Sequence, residues 1–143
     1  MNRFKWLSVF ACLTAVVIVP QAAGAADRMY VGFQDDPSFR FRDTREANFN
    51  QAQAANATII RSQVTWAAIA PTKPANPTNP FDPAYARLAD VDEFVRSAER
   101  RGIEVLLTIY GTPSWANGGK KPNAAPTKMS DLTDFSRALA ARY

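Results

Sequence analysis

The chain contains no histidine, so chemistry here falls to carboxylates, hydroxyls, lysine or arginine. Serine–histidine and cysteine–histidine nucleophile systems are excluded within it, as are the usual histidine-bearing zinc sites. Two stretches combine the residue types and spacing of a site. Thr58-Ile-Ile-Arg-Ser-Gln-Val64 leads into Trp66 and Pro71, and Ile103-Glu-Val-Leu-Leu-Thr-Ile109 leads into Tyr110, Pro113 and Trp115. Each is an apolar run of strand length whose C-terminal end opens into an aromatic- and proline-bearing loop. Parallel α/β sheets place ligands at that end of their strands, so the pattern predicts a parallel α/β enzyme.

The elements that must position those loops follow from periodicity. Met29 to Phe33 reads as a first strand. Asp43 and Glu46 have capping-box spacing ahead of a helix running from Thr44 to about Asn56, with Ala47, Phe49 and Ala54 as its apolar contacts. Asp90 and Glu93 repeat the box before Val91, Phe94, Val95 and Ala98, and Gly102 is placed to end that helix in a left-handed conformation. The nearly continuous apolar run Ile103 to Ile109 predicts a strand covered on both faces. A last helix starts near Ser130, with Leu132, Phe135 and Leu139 on one stripe. The expected order is β-α-β-α-β-α. Proline recurs at every third position from Pro71 to Pro83, which favours polyproline II geometry. That segment reads either as a PxxP ligand or, preferably, as a stiff ordered loop packed over the mouth of a site.

The N-terminus carries its own signal. Arg3 and Lys5 precede an apolar run from Trp6 to Val19, and Ala23-Gly-Ala25 follows as a cleavage box. The run falls short of the roughly 20 residues a membrane span needs. Residues 1–25 are therefore expected to be a signal peptide cut after Ala25 or Ala26, giving a secreted, extracellular chain with no stable membrane association. Its removal takes 17 basic residues to 15 against 13 acidic, a net charge of +2 in place of +4. Such a weak excess without a basic cluster argues against nucleic acid as a partner. Cys12 leaves with the leader, so the mature chain can form no disulfide.

Arg61 with Trp66-Ala-Ala-Ile-Ala-Pro71, and Arg101 through Ala116, resemble the second and third βα units of glycoside hydrolases on the (β/α)₈ (TIM) barrel. That clan includes the cellulase-like family 5 and family 39, and the likeness covers residues 29–143. The resemblance implies the first three βα units of a barrel, ending before strand four, over residues 26–143. It implies a carbohydrate substrate, no cofactor and no metal. Arg61 would then support a nucleophilic carboxylate, since a guanidinium favours the ionised form and fixes its orientation; it reads equally as a structural arginine bridging strands or lying on an exposed edge. Trp66, Tyr110 and Trp115 would line sugar subsites, with Trp115 the better reading for that role and Trp66 read preferably as a wedge between strand and helix. Asp35 would hydrogen-bond a sugar. The clan's retaining chemistry uses two glutamates about 5 Å apart, after strands four and seven. Asp35 and Asp36 are adjacent and point apart; Glu93, Glu99 and Glu104 are expected on a helix or within a strand. Both catalytic glutamates are thus expected beyond the end of the chain. One departure is visible: family 5 often has a histidine at the end of strand three, where this chain reads Thr108-Ile-Tyr-Gly-Thr-Pro113.

The competing expectation is a non-catalytic secreted α/β module that binds carbohydrate or serves as structure, either a degenerate barrel or a small flavodoxin-like domain. A nucleotide-binding version would want a glycine-rich turn after the first strand, where this chain has one glycine followed by two aspartates that repel phosphate. A membrane-tethered scaffold would require the leader to remain uncleaved.

Overall fold

The computed structural model describes residues 29–85 and 87–143; the expected leader, its cleavage site and Cys12 lie outside them. Strand β1 (Gly32–Phe33) is followed by a π-helical turn (Pro37–Phe41) and helix α1 (Arg45–Ala54). Strand β2 (Ile59–Thr65) leads through the short α2 (Trp66–Ile69) and a 3₁₀ turn (Pro83–Tyr85) to α3 (Ala89–Glu99). Strand β3 (Glu104–Tyr110) leads through the short α4 (Ser114–Asn117) to α5 (Met129–Arg142). The strands form one parallel sheet in the order β1-β2-β3.

Alternation along β2 sorts the two faces. Ile60, Ser62 and Val64 are fully buried on the helical side. There they meet Phe49 and Ala52 of α1, Val91, Phe94 and Ala98 of α3, and Phe135 and Leu139 of α5 in one core. Aromatic rings run through it in two chains. Phe39, Phe49 and Phe94 follow one another at 5.0 and 5.6 Å, and Phe135 stacks on Trp66 at 5.3 Å while touching Tyr85 at 5.6 Å. Each buried phenylalanine contributes roughly 2–3 kcal/mol of burial. The other face carries Ile59, Arg61, Gln63 and Thr65, in register with Glu104, Leu106, Thr108 and Tyr110. That face is open, with Leu106 49% exposed and Tyr110 54% exposed. The expectation that β3 is covered on both faces is therefore corrected. Val105, Leu107 and Ile109 pack on the helical core, and Leu106, between them, is left on the open side.

The first strand is shorter than predicted. Val31 donates its N–H to Thr58 Oγ1 (3.0 Å) and accepts from Thr58 N (2.7 Å), so a side chain stands in for the ladder before β1 begins. A Cβ on Gly32 would meet the Ile59 carbonyl oxygen at 1.7 Å, which is why glycine sits at the crossing. Past Phe33 the chain turns away, and two side chains take over the edge of β2. The Asp36 carboxylate accepts from Gln63 N (3.2 Å) and Ser62 Oγ (2.5 Å), and Arg40 donates to the Gln63 carbonyl, to Ser62 Oγ (3.2 Å) and to Asp90. Arg40 is 8% exposed.

Neither capping box forms. α1 starts at Arg45 and α3 at Ala89, and no side chain caps either N-terminus. Glu46 instead receives Ser97 Oγ (2.6 Å), Arg101 (2.8 Å) and Arg100 (3.2 Å), while Asp90 binds Arg40 and Glu93 binds Arg45 (2.7 Å). Charge-assisted bonds from arginine outcompete a neutral backbone N–H. On α1 the buried pair is Phe49 and Ala52, three residues apart on one face; Ala47 and Ala54 lie on the opposite side, exposed. Gly102 does take the left-handed conformation (φ +66°).

The proline segment is ordered, but it is coiled rather than extended. Successive bonds Asn79 N to Asn76 O, Asp82 N to Asn79 O and Tyr85 N to Asp82 O turn it every three residues, a pattern foreign to polyproline II. Buried Asp82 organises it by accepting from Ala84 N (2.9 Å) and Asn76 N (2.7 Å), which holds its carboxyl below the usual range. The later part of the segment packs against α5 instead of lying over the open sheet face. Tyr85 meets Phe135, and Arg142 donates to the Pro80 carbonyl (2.8 Å).

Two predictions follow from these side-chain ties. Arg40→Met removes the cation that Asp90 and Asp36 share and leaves the Gln63 carbonyl without its donor, and should cost about 3 kcal/mol. Urea denaturation measures it, and adding Asp90→Asn to that variant should cost little more because the pair is already broken. Glu46 is held down to about 2 from an ordinary 4.5, first by Ser97 and then by Arg101. The unfolded chain therefore protonates first: the stability Glu46 provides is whole above pH 4.5 and drains as pH falls toward 2. Because Glu46 is half exposed, that contribution should be only about 1 kcal/mol, and Glu46→Gln should flatten the acid limb by that amount in pH-dependent denaturation.

Candidate functional site on the open sheet face

The open face gathers polar groups toward the C-terminal ends of the strands. Arg61 is in register with Leu106, yet its guanidinium reaches one row higher: Nε donates to Thr108 Oγ1 (2.8 Å) and Nη1 to Gln34 Oε1 (2.9 Å). The two partners come from β3 and from the residue after β1. Both are neutral, and among the described residues no carboxylate pairs with Arg61. Its positive charge is positioned but not compensated. In the top row, Thr65 faces Tyr110, whose side chain is exposed.

Beyond Tyr110 the chain leaves the sheet at Gly111 (φ +71°), whose carbonyl accepts from Ala67 N (2.8 Å) and so joins the second and third loops. Trp115 is half-buried. Its Nε1 donates to the Ala70 carbonyl (2.8 Å), its ring meets Trp66 edge-on at 5.6 Å, and Lys73 Nζ lies 5.8 Å from its centroid. The loop itself is organised by Asn117, which is fully buried. Its Nδ2 donates to the carbonyls of Lys121 (3.0 Å) and Lys120 (3.1 Å), and its Oδ1 accepts from Lys120 N (3.0 Å). Thr112 N then bonds the Pro122 carbonyl (2.8 Å) and folds the loop back onto the strand end.

The predicted residues separate on this geometry. Arg61 and Tyr110 share the open face, whereas Trp115, in the loop beyond Gly111, packs through Trp66 against the helical core and is tied to the second loop. Trp66 is 1% exposed, sandwiched between Phe135 and Trp115, so it has no ring face to offer a sugar; the wedge reading describes its position. Asp35 is exposed at the β1 edge, accepts from Ser38 Oγ (2.6 Å), and makes no bond to Arg61. Gln34, Thr108 and Asn117 were not singled out from sequence. Gln34 and Thr108 lie at even spacing along the open face from Gly32 and Leu106, a period-2 signal that marks the row. Asn117, in irregular loop, has no such signal. A cleft of about 390 Å³ between the π-helical turn and α2 adjoins this face, lined by Asp36, Arg40, Phe41, Gln63, Thr65 and Arg87. Among the described residues no group of histidine, cysteine, aspartate or glutamate is placed to hold a metal ion.

Residues 27–143 match the family model Cellulase (glycosyl hydrolase family 5). Among solved structures the chain is similar to a family 39 glycoside hydrolase from the gut symbiont Bacteroides cellulosilyticus WH2. The TM-score is 0.52 at 20% identity, covering 76% of this chain and 20% of that one. That likeness shows the fold: an α/β arrangement of three parallel strands that forms the first βα units of a (β/α)₈ barrel. The chain spans about a fifth of the length of that structure. No curated protein matches it.

The loop after β3 depends on one buried amide. Asn117→Ala removes the side-chain partner of four loop backbone groups, the carbonyls of Thr112, Lys120 and Lys121 and the N–H of Lys120, and should lower stability by about 2 kcal/mol. Hydrogen exchange should accelerate at Lys120, with the β2–β3 ladder unaffected.

Proposed function

The chain belongs to the cellulase family, glycosyl hydrolase family 5, and we propose that it forms the strand-one to strand-three part of a secreted enzyme hydrolysing O-glycosidic bonds. The observation that carries this reading is Arg61, a cation fixed on the open face by two neutral partners, with no carboxylate paired to it among the described residues. A retaining glycosidase needs such a group beside its nucleophile. One glutamic acid protonates the leaving oxygen while a glutamate attacks the anomeric carbon, and water then releases the sugar with the first residue acting as base. In this reading Arg61 keeps the nucleophile ionised and oriented. Tyr110 and Trp115 present aromatic faces to pyranose rings, and Asp35 accepts a sugar hydroxyl at the edge.

The catalytic glutamates themselves are assigned beyond residue 143. The four glutamates of the chain all have other positions: Glu46, Glu93 and Glu99 on helices, Glu104 at the N-terminal end of β3. Residues 1–25 are assigned as a leader removed on export. The absence of histidine at the end of β3 separates this chain from the common family-5 pattern, so the sugar is not inferred from the family's name.

The test pairs hydrolysis with binding. The purified chain should release nothing from aryl β-glycosides above a mock preparation, and should bind oligosaccharide with a change in tryptophan fluorescence. Trp115→Phe should weaken that binding about tenfold, equivalent to about 1.4 kcal/mol. Turnover by the chain alone would place the catalytic carboxylates within it. Unchanged affinity in Trp115→Phe would reduce Trp115 to packing.

A further inference from the structure

The cations of this protein are distributed in two populations. On the helical side, Arg40, Arg45, Arg101 and Arg142 bind Asp90, Glu93, Glu46 and Asp92 respectively. In the loops after β2 and β3 such pairs are sparse. Residues 59–81 and 105–130, which span β2, most of β3 and the loops after them, contain no aspartate or glutamate. They hold Arg61 and all four lysines outside the leader: Lys73, Lys120, Lys121 and Lys128. Lys73 touches Asp131 at 3.8 Å, from the start of α5. Among the described residues, Lys120, Lys121 and Lys128 form no ion pair.

From this distribution we propose that the glycan bound by this face is an anionic polysaccharide, one whose sugars carry carboxylates or sulfate esters. The inference rests on the carbohydrate reading above and narrows its substrate class. Lys73 Nζ lies over the Trp115 ring and within 3.8 Å of Asp131, so the cations left for an acid group are those of the loop after β3. Lys120 and Lys121 are exposed, yet their backbone is fixed by Asn117 and by the fold-back of Pro122 onto Thr112. Their backbone is thus anchored near the end of β3, and among the described residues neither ammonium group has an ion-pair partner. A neutral glycan gives such a rim nothing to bind, whereas a polyanion recovers Coulomb energy at each contact. The attraction is screened within a Debye length of roughly 10 Å at moderate salt, so it must weaken as salt rises.

The experiment measures binding of the whole chain to polygalacturonate, dextran sulfate, neutral hydroxyethylcellulose and single-stranded RNA at about 20 mM and about 0.5 M salt. An anionic glycan should bind about tenfold more tightly than the neutral polymer at low salt and lose that advantage at high salt. Preference for polygalacturonate identifies the acid as carboxylate; preference for dextran sulfate identifies it as sulfate. Lys120→Gln with Lys121→Gln should abolish most of the preference. Arg96→Gln with Arg137→Gln removes the same charge from the helical side and should leave the preference intact. Equal binding of neutral and anionic glycans overturns this inference while leaving the carbohydrate reading in place. Failure of every glycan to bind overturns both. RNA binding equal to that of the best glycan, or equal loss from the two double variants, reduces the effect to general polyanion attraction and also overturns it.

Discussion

A two-residue edge strand cannot satisfy a seven-residue neighbour, and the fold is arranged around that mismatch. β1 pairs with β2 only at Gly32 and Phe33, opposite Ile59 and Ile60. Further along β2, Gln63 has an N–H and a carbonyl on the same edge with no strand beside them. Asp36 accepts the first and Arg40 donates to the second, so an ion pair one helical turn apart continues the ladder in side-chain form. Unpaired backbone groups at a buried edge cost as much as lost hydrogen bonds. Arg40 also reaches Asp90 on α3, so the substitute ladder fastens sheet to helix. The turn after β1 is consequently held by β2, and Gln34 is held in reach of Arg61. The geometry of the open face therefore depends on a contact made along the edge of the sheet.

Sequence periodicity was sufficient for the elements because it depends on local geometry. The stripe Leu132, Phe135 and Leu139 became one side of a helix and the run Ile103 to Ile109 became a strand, although its Leu106 side is open instead of covered. It failed where long-range charges decided. Asp43/Glu46 and Asp90/Glu93 have the spacing of capping boxes, but arginines about fifty residues away in sequence provide stronger partners for Glu46 and Asp90. α1 illustrates the same limit. Its three candidate apolar positions do not share a face, and only packing against α3 selected Phe49 with Ala52. In the proline segment, local φ restriction favoured extension, while Asp82 collected backbone N–H groups and turned the chain back on itself.

The site was legible as a location more than as a set of roles. Parallel strands with aromatic loops at their C-terminal ends pointed to the end of the sheet where Thr65 faces Tyr110, and Arg61 and Tyr110 share its open face. Trp66 and Trp115 occupy comparable places after successive strands, and sequence favoured packing for Trp66 and substrate contact for Trp115 on loop position alone. The structure divides them by burial: Phe135 covers the Trp66 ring, while Trp115 is held through Nε1 at the loop surface. Such a difference depends on where α5 packs, and α5 begins more than sixty residues after Trp66.

The vertical order of the open face explains why the guanidinium of Arg61 points upward. Its own row contains Leu106, an aliphatic side chain with no acceptor, and the row below holds Ile59 with Glu104. The nearest neutral acceptor on β3 is the Thr108 hydroxyl one row higher, and Gln34 closes the arrangement from the other side. In a closed barrel the inward side chains stack in layers, with chemistry confined to the C-terminal layer. Here Ile59 and Leu106 occupy the lower part of the face, and the top two rows offer only hydroxyls, an amide and the Tyr110 ring. A charge whose neighbours above are all neutral, with Glu104 in the row beneath it, acts on whatever occupies the space above once that face is covered. That physical asymmetry, with a paired helical side and an unpaired upper face, makes the end of the sheet near Tyr110 chemically distinct from the rest of the molecule.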